Sequence, residues 1–202
     1  TLVSSSAASD VYKRQIEVNN YPYSDPLDQV ASPLFLHKTP REVSSSWYSL
    51  TFQTPFADSP VFISQMQSYF GTDTAAMRVR NLTSDGVQIR VEEEQSRDSE
   101  IGHTTESIGL LGLPAGEIRD INGQLIGEAG FTMSSTSGNS DWKSLSFANS
   151  YSQPVVLMEM TTFNGSQAAH MRLKDVSTSG ASYQIEEWDY LDEAHTTETM
   201  AY

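Results

Sequence analysis

The sequence predicts an all-β fold built as two tandem small antiparallel β-sandwich modules, on three observations. An ordered internal repeat runs through most of the chain, its strand-length segments alternate apolar and polar residues, and no segment sustains helical periodicity.

The repeat comes first. Trp47-Tyr-Ser-Leu-Thr-Phe52 matches Trp142-Lys-Ser-Leu-Ser-Phe147 at an offset of 95 (142 − 47), and Phe56 pairs with Tyr151 at the same offset. Pro60-Val61 pairs with Pro154-Val155 at an offset of 94 (154 − 60), and Gly71, Met77-Arg78 and Gly86 keep that offset with Gly165, Met171-Arg172 and Gly180. His103-Thr-Thr-Glu106 then matches His195-Thr-Thr-Glu198 at an offset of 92 (195 − 103). The offset changes only at two points, where insertions between copies belong in loops.

Alternation supplies the strands. Ala75, Met77 and Val79 face one way and Ala76, Arg78 and Arg80 the other; Val87, Ile89 and Val91 alternate with Gln88, Arg90 and Glu92. Copy two repeats the pattern with Ala169, Met171 and Leu173, then Ala181, Tyr183 and Ile185. Turn residues punctuate the runs at Asp58-Ser-Pro60, Thr83-Ser-Asp-Gly86, Asn164-Gly165 and Thr178-Ser-Gly180. Short strands at such spacing predict an antiparallel sandwich. Glu117–Gly130 is read as the joint between copies, holding the last turn of copy one and the first strand of copy two.

Module one is placed at residues 31–118 and module two at 119–202, the second cut short at its C-terminal end. Residues 16–30, with Tyr21-Pro-Tyr-Ser-Asp-Pro26, read as a linker or the remnant of a preceding unit. Thr1–Gln15 resembles a translated sequencing adapter at the end of a reading frame assembled from environmental DNA, and is set aside as a non-native leader. Met200–Tyr202 is expected at an open sheet edge, because the counterparts of Leu111, Gly112 and Leu113 do not follow it.

Composition narrows function. Hydrophobic residues at 38% with charged residues at 19% describe a folded chain. A net charge of −14 with no basic patch argues against nucleic acid and anionic membranes, and suits a secreted protein of saline water. No run approaches the roughly 20 apolar residues that span a bilayer, so no membrane insertion is expected. With no cysteine, no disulfide framework exists.

The order Leu50-Thr-Phe52, Phe56, Pro60-Val61, Arg78 and Asn81-Leu-Thr-Ser-Asp-Gly86 resembles the H-type lectin domain. Copy two carries the same order as Leu145-Ser-Phe147, Tyr151, Pro154-Val155, Arg172 and Asp175-Val-Ser-Thr-Ser-Gly180. The resemblance implies a small antiparallel β-sandwich that binds a galactose- or N-acetylgalactosamine-like sugar, often as an oligomer. The chain departs from the family at Val87 and Ala181, where an aromatic residue usually follows the glycine, and in its acidic, His-containing loops.

Those loops carry the candidate chemistry. Trp188, Asp189, Tyr190, Asp192 and His195 combine aromatic faces with hydroxyl-binding groups, as a sugar site requires; Arg172 joins them, with Asp98, His103 and Arg78 as the copy-one set. Copy one has Glu94 and Ser96 where copy two has Trp188 and Tyr190, so copy two is the better lectin candidate. A solvated hairpin covering a sandwich end is the competing reading. Glu93 and Glu187 fall on the inward phase of their strands and need a partner, either His103 and His195, or Arg78 and Arg172 after a bulge. His and Glu three apart point to opposite faces of a regular strand, so no metal site and no cofactor is expected. Backbone hydrogen bonds closing a turn account for them instead.

No nucleophile elbow, phosphate loop or metalloprotease motif is present, and no enzyme is expected; paired carboxylates leave glycoside hydrolysis as a minor alternative. The sequence therefore points to an extracellular or cell-surface, tandem-repeat carbohydrate-binding protein serving recognition or adhesion. The alternative is a structural surface protein whose repeats assemble as a homo-oligomer or filament without sugar specificity.

Overall fold

A computed structural model describes residues 34–120 and 122–202. The leader at 1–15 and the linker at 16–30 lie outside the described residues. All described regular structure is strand, arranged in several small antiparallel sheets, so the fold is all-β.

Copy one contributes β1 (Phe35–Lys38), β2 (Tyr48–Thr51), β3 (Val61–Met66), β4 (Ala75–Arg80), β5 (Gly86–Glu93) and β6 (Ile108–Leu113). They form two three-stranded sheets, β1-β6-β3 and β2-β5-β4. Their inward residues meet in one core: Phe62 from β3, Met77 and Val79 from β4, Val87, Ile89 and Val91 from β5, and Ile108 and Leu110 from β6. Full burial of each large apolar side chain contributes about 1.5–3 kcal/mol, so the period-two pattern itself holds the sheets face to face.

Between the copies stands a hairpin, β7 (Gly116–Arg119) and β8 (Leu125–Ala129). Its turn follows from Asp120, whose carboxylate accepts the Asn122 and Gln124 amides, and from Gly123 at φ 78°. The expected module boundary at 118/119 falls inside β7.

Copy two contributes β9 (Phe131–Thr136), β10 (Lys143–Ser146), β11 (Glu159–Met160), β12 (Ala169–Ser177), β13 (Gly180–Glu187) and β14 (His195–Ala201). The sheets are β9-β14-β11 and β10-β13-β12, the strand orders of copy one again. Matched glycines are repeated for one reason: a Cβ on Gly86 or Gly180 would overlap the carbonyl of Leu50 or Leu145 on the neighbouring strand. Asn81 and Asp175, also matched, sit at φ 49° and 51°, where Asn and Asp are tolerated better than most residues.

One expectation is overturned. Met200 and Ala201 are not at an edge: β14 is the central strand, Met200 pairing with Thr132 on β9 and with Met160 on β11. Strand order decides this, because the last strand inserts between two earlier ones.

Candidate functional site between the repeats

Each copy contains a buried chain of carboxylate, imidazole and carboxylate. His103 Nδ1 lies 2.6 Å from Glu93 Oε1 and its Nε2 3.5 Å from Glu106 Oε1. In copy two His195 Nδ1 lies 2.8 Å from Glu187 Oε1 and Nε2 3.3 Å from Glu198 Oε1. The inward phase of β5 and β13 delivers Glu93 and Glu187, and the histidines are their partners. A strand should separate residues three apart, yet His195 and Glu198 meet because β14 shifts register between them.

The second carboxylate closes a turn. Glu106 accepts the amides of Phe70 (2.6 Å) and Gly71 (2.9 Å) and the Ser68 hydroxyl. Glu198 accepts those of Asn164 (2.7 Å) and Gly165 (2.8 Å) and the Thr162 hydroxyl. Gly71 and Gly165 are required because a Cβ on either would overlap the imidazole ring. Burial pushes the Glu106 carboxyl up, but the donors from Ser68, Gly71, Phe70 and His103 outweigh it and hold it at about 2. Burial likewise opposes Glu198, which its His195, Gly165, Thr162 and Asn164 donors bring below the ordinary range. A carboxyl depressed from 4.5 to about 2 adds stability that is present above 4.5 and lost as pH falls toward 2. Replacing Glu106 with Gln should therefore flatten the acid-unfolding limb in that window, as read by fluorescence during acid titration.

The copies are locked together by buried polar contacts. Arg78, fully enclosed, donates to Gly165 O (2.9 Å) and Gln167 O (2.8 Å) of copy two while pairing with Glu92 at 2.8 Å. Phe163 inserts beside it, edge-on to Trp47 at 5.3 Å. Ser64 donates its amide and hydroxyl to Glu159 of copy two at 3.2 and 2.8 Å.

Beside this contact the copies leave a groove of about 370 Å³. Copy two lines it with His170, Arg172, Glu186, Trp188, Asp189 and Tyr190, and copy one with Thr74, Glu94 and Ser96. Glu94 and Ser96 are the repeat counterparts of Trp188 and Tyr190, so equivalent positions of both copies face one composite site. Arg172 is gripped by both oxygens of Glu186 at 2.8 and 2.7 Å, and His170 Nε2 lies 2.9 Å from Glu186. The Trp188 ring lies 5.0 Å from His170, and its buried Nε1–H has no hydrogen-bond partner. Glu187 reaches the groove with its Oε2 also unpartnered, and burial raises its carboxyl despite His195. Tyr190 accepts the Gln95 amide at 2.7 Å through its hydroxyl, which fixes the ring across the joint.

The sequence-predicted residues divide on these facts. Trp188, Asp189, Tyr190 and Arg172 share the groove. Asp192 lies outside it, bonded to Gln167 and the Ala194 amide. Asp98 lines a separate recess of about 110 Å³ with Asp73 and Arg97. His103, His195 and Arg78 were expected at a sugar; they are at most 5% exposed, bonded to groups inside the protein, and present no face to a ligand. His170 escaped the sequence reading, although it is an outward-phase residue beside Arg172, paired directly across β12 and β13 with Glu186, the first residue of the candidate loop. Among the described residues, Asp73, Glu93 and Glu100 place carboxylate oxygens within 4.8 Å of one another. His103 already holds Glu93, and Arg97 lies 3.7 Å from Asp73.

The protein is thus of the all-β tandem-sandwich class, with a polar, aromatic-lined groove at the joint between its copies. It is 30% identical over 164 residues to halomucin of Haloquadratum walsbyi (strain DSM 16790 / HBSQ001), a halophilic archaeal surface protein. The match covers 79% of this chain, and the chain spans about 2% of the length of halomucin. No protein-family model and no solved structure matches the chain.

Proposed function

We propose that this chain is a segment of an extracellular surface protein that binds carbohydrate in the groove between its repeats. The similarity to halomucin supports the surface location. The observation that carries the binding role is the exposed groove that Trp188 and Tyr190 line together with Asp189 and Arg172. A sugar suits this lining. Its apolar ring face stacks on an aromatic ring, and its hydroxyls donate to a carboxylate and accept from a guanidinium N–H. Glu94, Glu186, Glu187 and Asp189 outnumber Arg172 and His170, so the groove favours neutral or amino sugars over acidic ones. The resemblance to the H-type lectin domain directs the first trials to galactose and N-acetylgalactosamine. Binding without catalysis fits the site, since Glu186 is occupied by Arg172 and Glu94 by the Ser96 amide and hydroxyl.

A structural role is the second reading, favoured by the enclosed Arg78 contact that fastens copy to copy. Titration separates the two. An aromatic stack contributes on the order of 1 kcal/mol beyond area burial, so binding should be weak. Trp188→Ala should abolish it while leaving the melting temperature within a few degrees of the parent. Equal binding by the variant, or none by the intact protein, sinks the sugar site.

A further inference from the structure

The two copies meet about an approximate two-fold axis. Ser64 donates to Glu159, the counterpart of its own neighbour Gln65, and the Gln95 amide donates to Tyr190, the counterpart of its neighbour Ser96. β3 likewise touches β11, and β4 touches β12, each strand against its own repeat. In such a relation each contact recurs with the copies exchanged.

Only one of the two sides is latched. There Arg78 donates to the Gly165 and Gln167 carbonyls, and the Phe163 ring lies under Arg78 and Arg90 at 4.6 and 4.8 Å and edge-on to Trp47. On the other side the same parts stand apart. Arg172, Gly71, Asp73, Tyr69 and Trp142 are the counterparts of Arg78, Gly165, Gln167, Phe163 and Trp47. Even the cation over the indole is repeated, Lys174 lying 4.3 Å from the Trp142 ring as Arg80 lies 4.1 Å from Trp47. Yet the Arg172 side chain is 58% exposed where that of Arg78 is enclosed, and Tyr69 is 78% exposed. The groove shared by Thr74 and Arg172 stands where the second latch belongs. Two differences hold this side open. Glu186 grips Arg172 with both oxygens, whereas Glu92 is shared between Arg78 and Arg90, and Gln184 replaces Arg90, which leaves one cation fewer to cover a ring. A third favours closing: Asp73, in place of Gln167, adds negative charge beside the carbonyls that match the Arg78 acceptors.

We propose that the joint is a clamp, which rocks about the Ser64–Glu159 and Gln95–Tyr190 contacts until Arg172 donates to the Gly71 and Asp73 carbonyls and Tyr69 seats on Trp142. Arg172 keeps Glu186 as it moves, since Arg78 holds Glu92 and two carbonyls together. Closing draws Thr74 toward Arg172 across the groove. That this retains a bound sugar rests on the binding role proposed above; the motion itself does not.

The test is fluorine relaxation dispersion on the intact protein labelled with fluorotryptophan, with Trp142→Phe used to assign the Trp142 signal. Rocking of packed units falls in the microsecond-to-millisecond range, and a closed state populated at about 1–10% gives dispersion at Trp142. Tyr69→Ala and Arg172→Ala should each abolish that dispersion while leaving the melting temperature within a few degrees of the parent. A flat profile at Trp142 in the parent overturns the clamp, as does dispersion that survives both substitutions. No sugar is added, so failure of the clamp and failure of the sugar site are read separately.

Discussion

Replacing His195 with alanine should destabilise the protein by roughly 3–5 kcal/mol, the cost typical of removing one partner from a buried ionic group. The ring lies between Glu187 and Glu198, and all three side chains are almost wholly enclosed. Without it Glu187 keeps no partner that pulls its carboxyl down, while burial and the neighbouring Asp192 carboxylate push it up. Glu198 retains its two amides and the Thr162 hydroxyl, so most of the penalty falls on Glu187. Denaturant unfolding of His195→Ala gives the value, with Asp58→Ala as the comparison, since Asp58 is exposed in a loop of copy one. A loss below about 1 kcal/mol for His195→Ala would mean that the carboxylate–imidazole chain does not hold the module. The double variant Glu187→Leu, His195→Leu should recover much of the loss, because an apolar pair leaves no orphaned charge.

Glu159 should take away stability as pH rises from about 5 to 8. Burial pushes its carboxyl from 4.5 to about 7, against the Ser64 donors and the Arg78 charge, which pull it down. A carboxyl raised on folding contributes stability that is fully present below 4.5 and is lost as pH climbs through about 7. Each pH unit between those two values is worth about 1.4 kcal/mol, so the loss comes to about 3 kcal/mol. Glu159→Gln keeps an oxygen for the Ser64 amide and hydroxyl but cannot ionise. Its unfolding free energy should therefore fall less than the parent's between pH 5 and 8, by about 3 kcal/mol, and should exceed that of the parent at pH 8. Parallel pH dependence in parent and variant would remove Glu159 from the account. The position also joins the copies, so the pH that weakens it weakens their junction.

Strands such as β5 were legible in the sequence because their faces obey period two. Val87, Ile89, Val91 and the misplaced-looking Glu93 fall on one face, and the core contains the three apolar ones with Glu93 beside them. That Glu93 and Glu187 need a partner was likewise readable, since they fall on the inward phase; the choice of the histidines over Arg78 and Arg172 came from the structure. Local geometry beyond the pattern was not. The shift in β14 puts His195 and Glu198 together where ideal alternation separates them. Arg78 reads as a solvent-facing residue, yet copy two covers it through Gly165 and Gln167, a contact that one repeat unit cannot reveal. Met200 reads as an edge residue, yet β14 is central, because sheet order depends on distant pairings. The hairpin of β7 and β8 had a signal that went unused, Asn122-Gly123 between Ile118 and Leu125. Of the site, the aromatic loop of copy two was visible; its completion by Thr74, Glu94 and Ser96 needed the packing of the two copies.

The most direct measurement is a glycan array probed with the intact chain. Retention is expected on neutral or amino sugars, with galactose and N-acetylgalactosamine tried first, and weaker retention on uronic or sialic acids, because the groove carries more carboxylates than cations. The Trp188→Ala variant should not be retained. An array with no retained sugar, or one that retains only acidic sugars, would contradict the binding role.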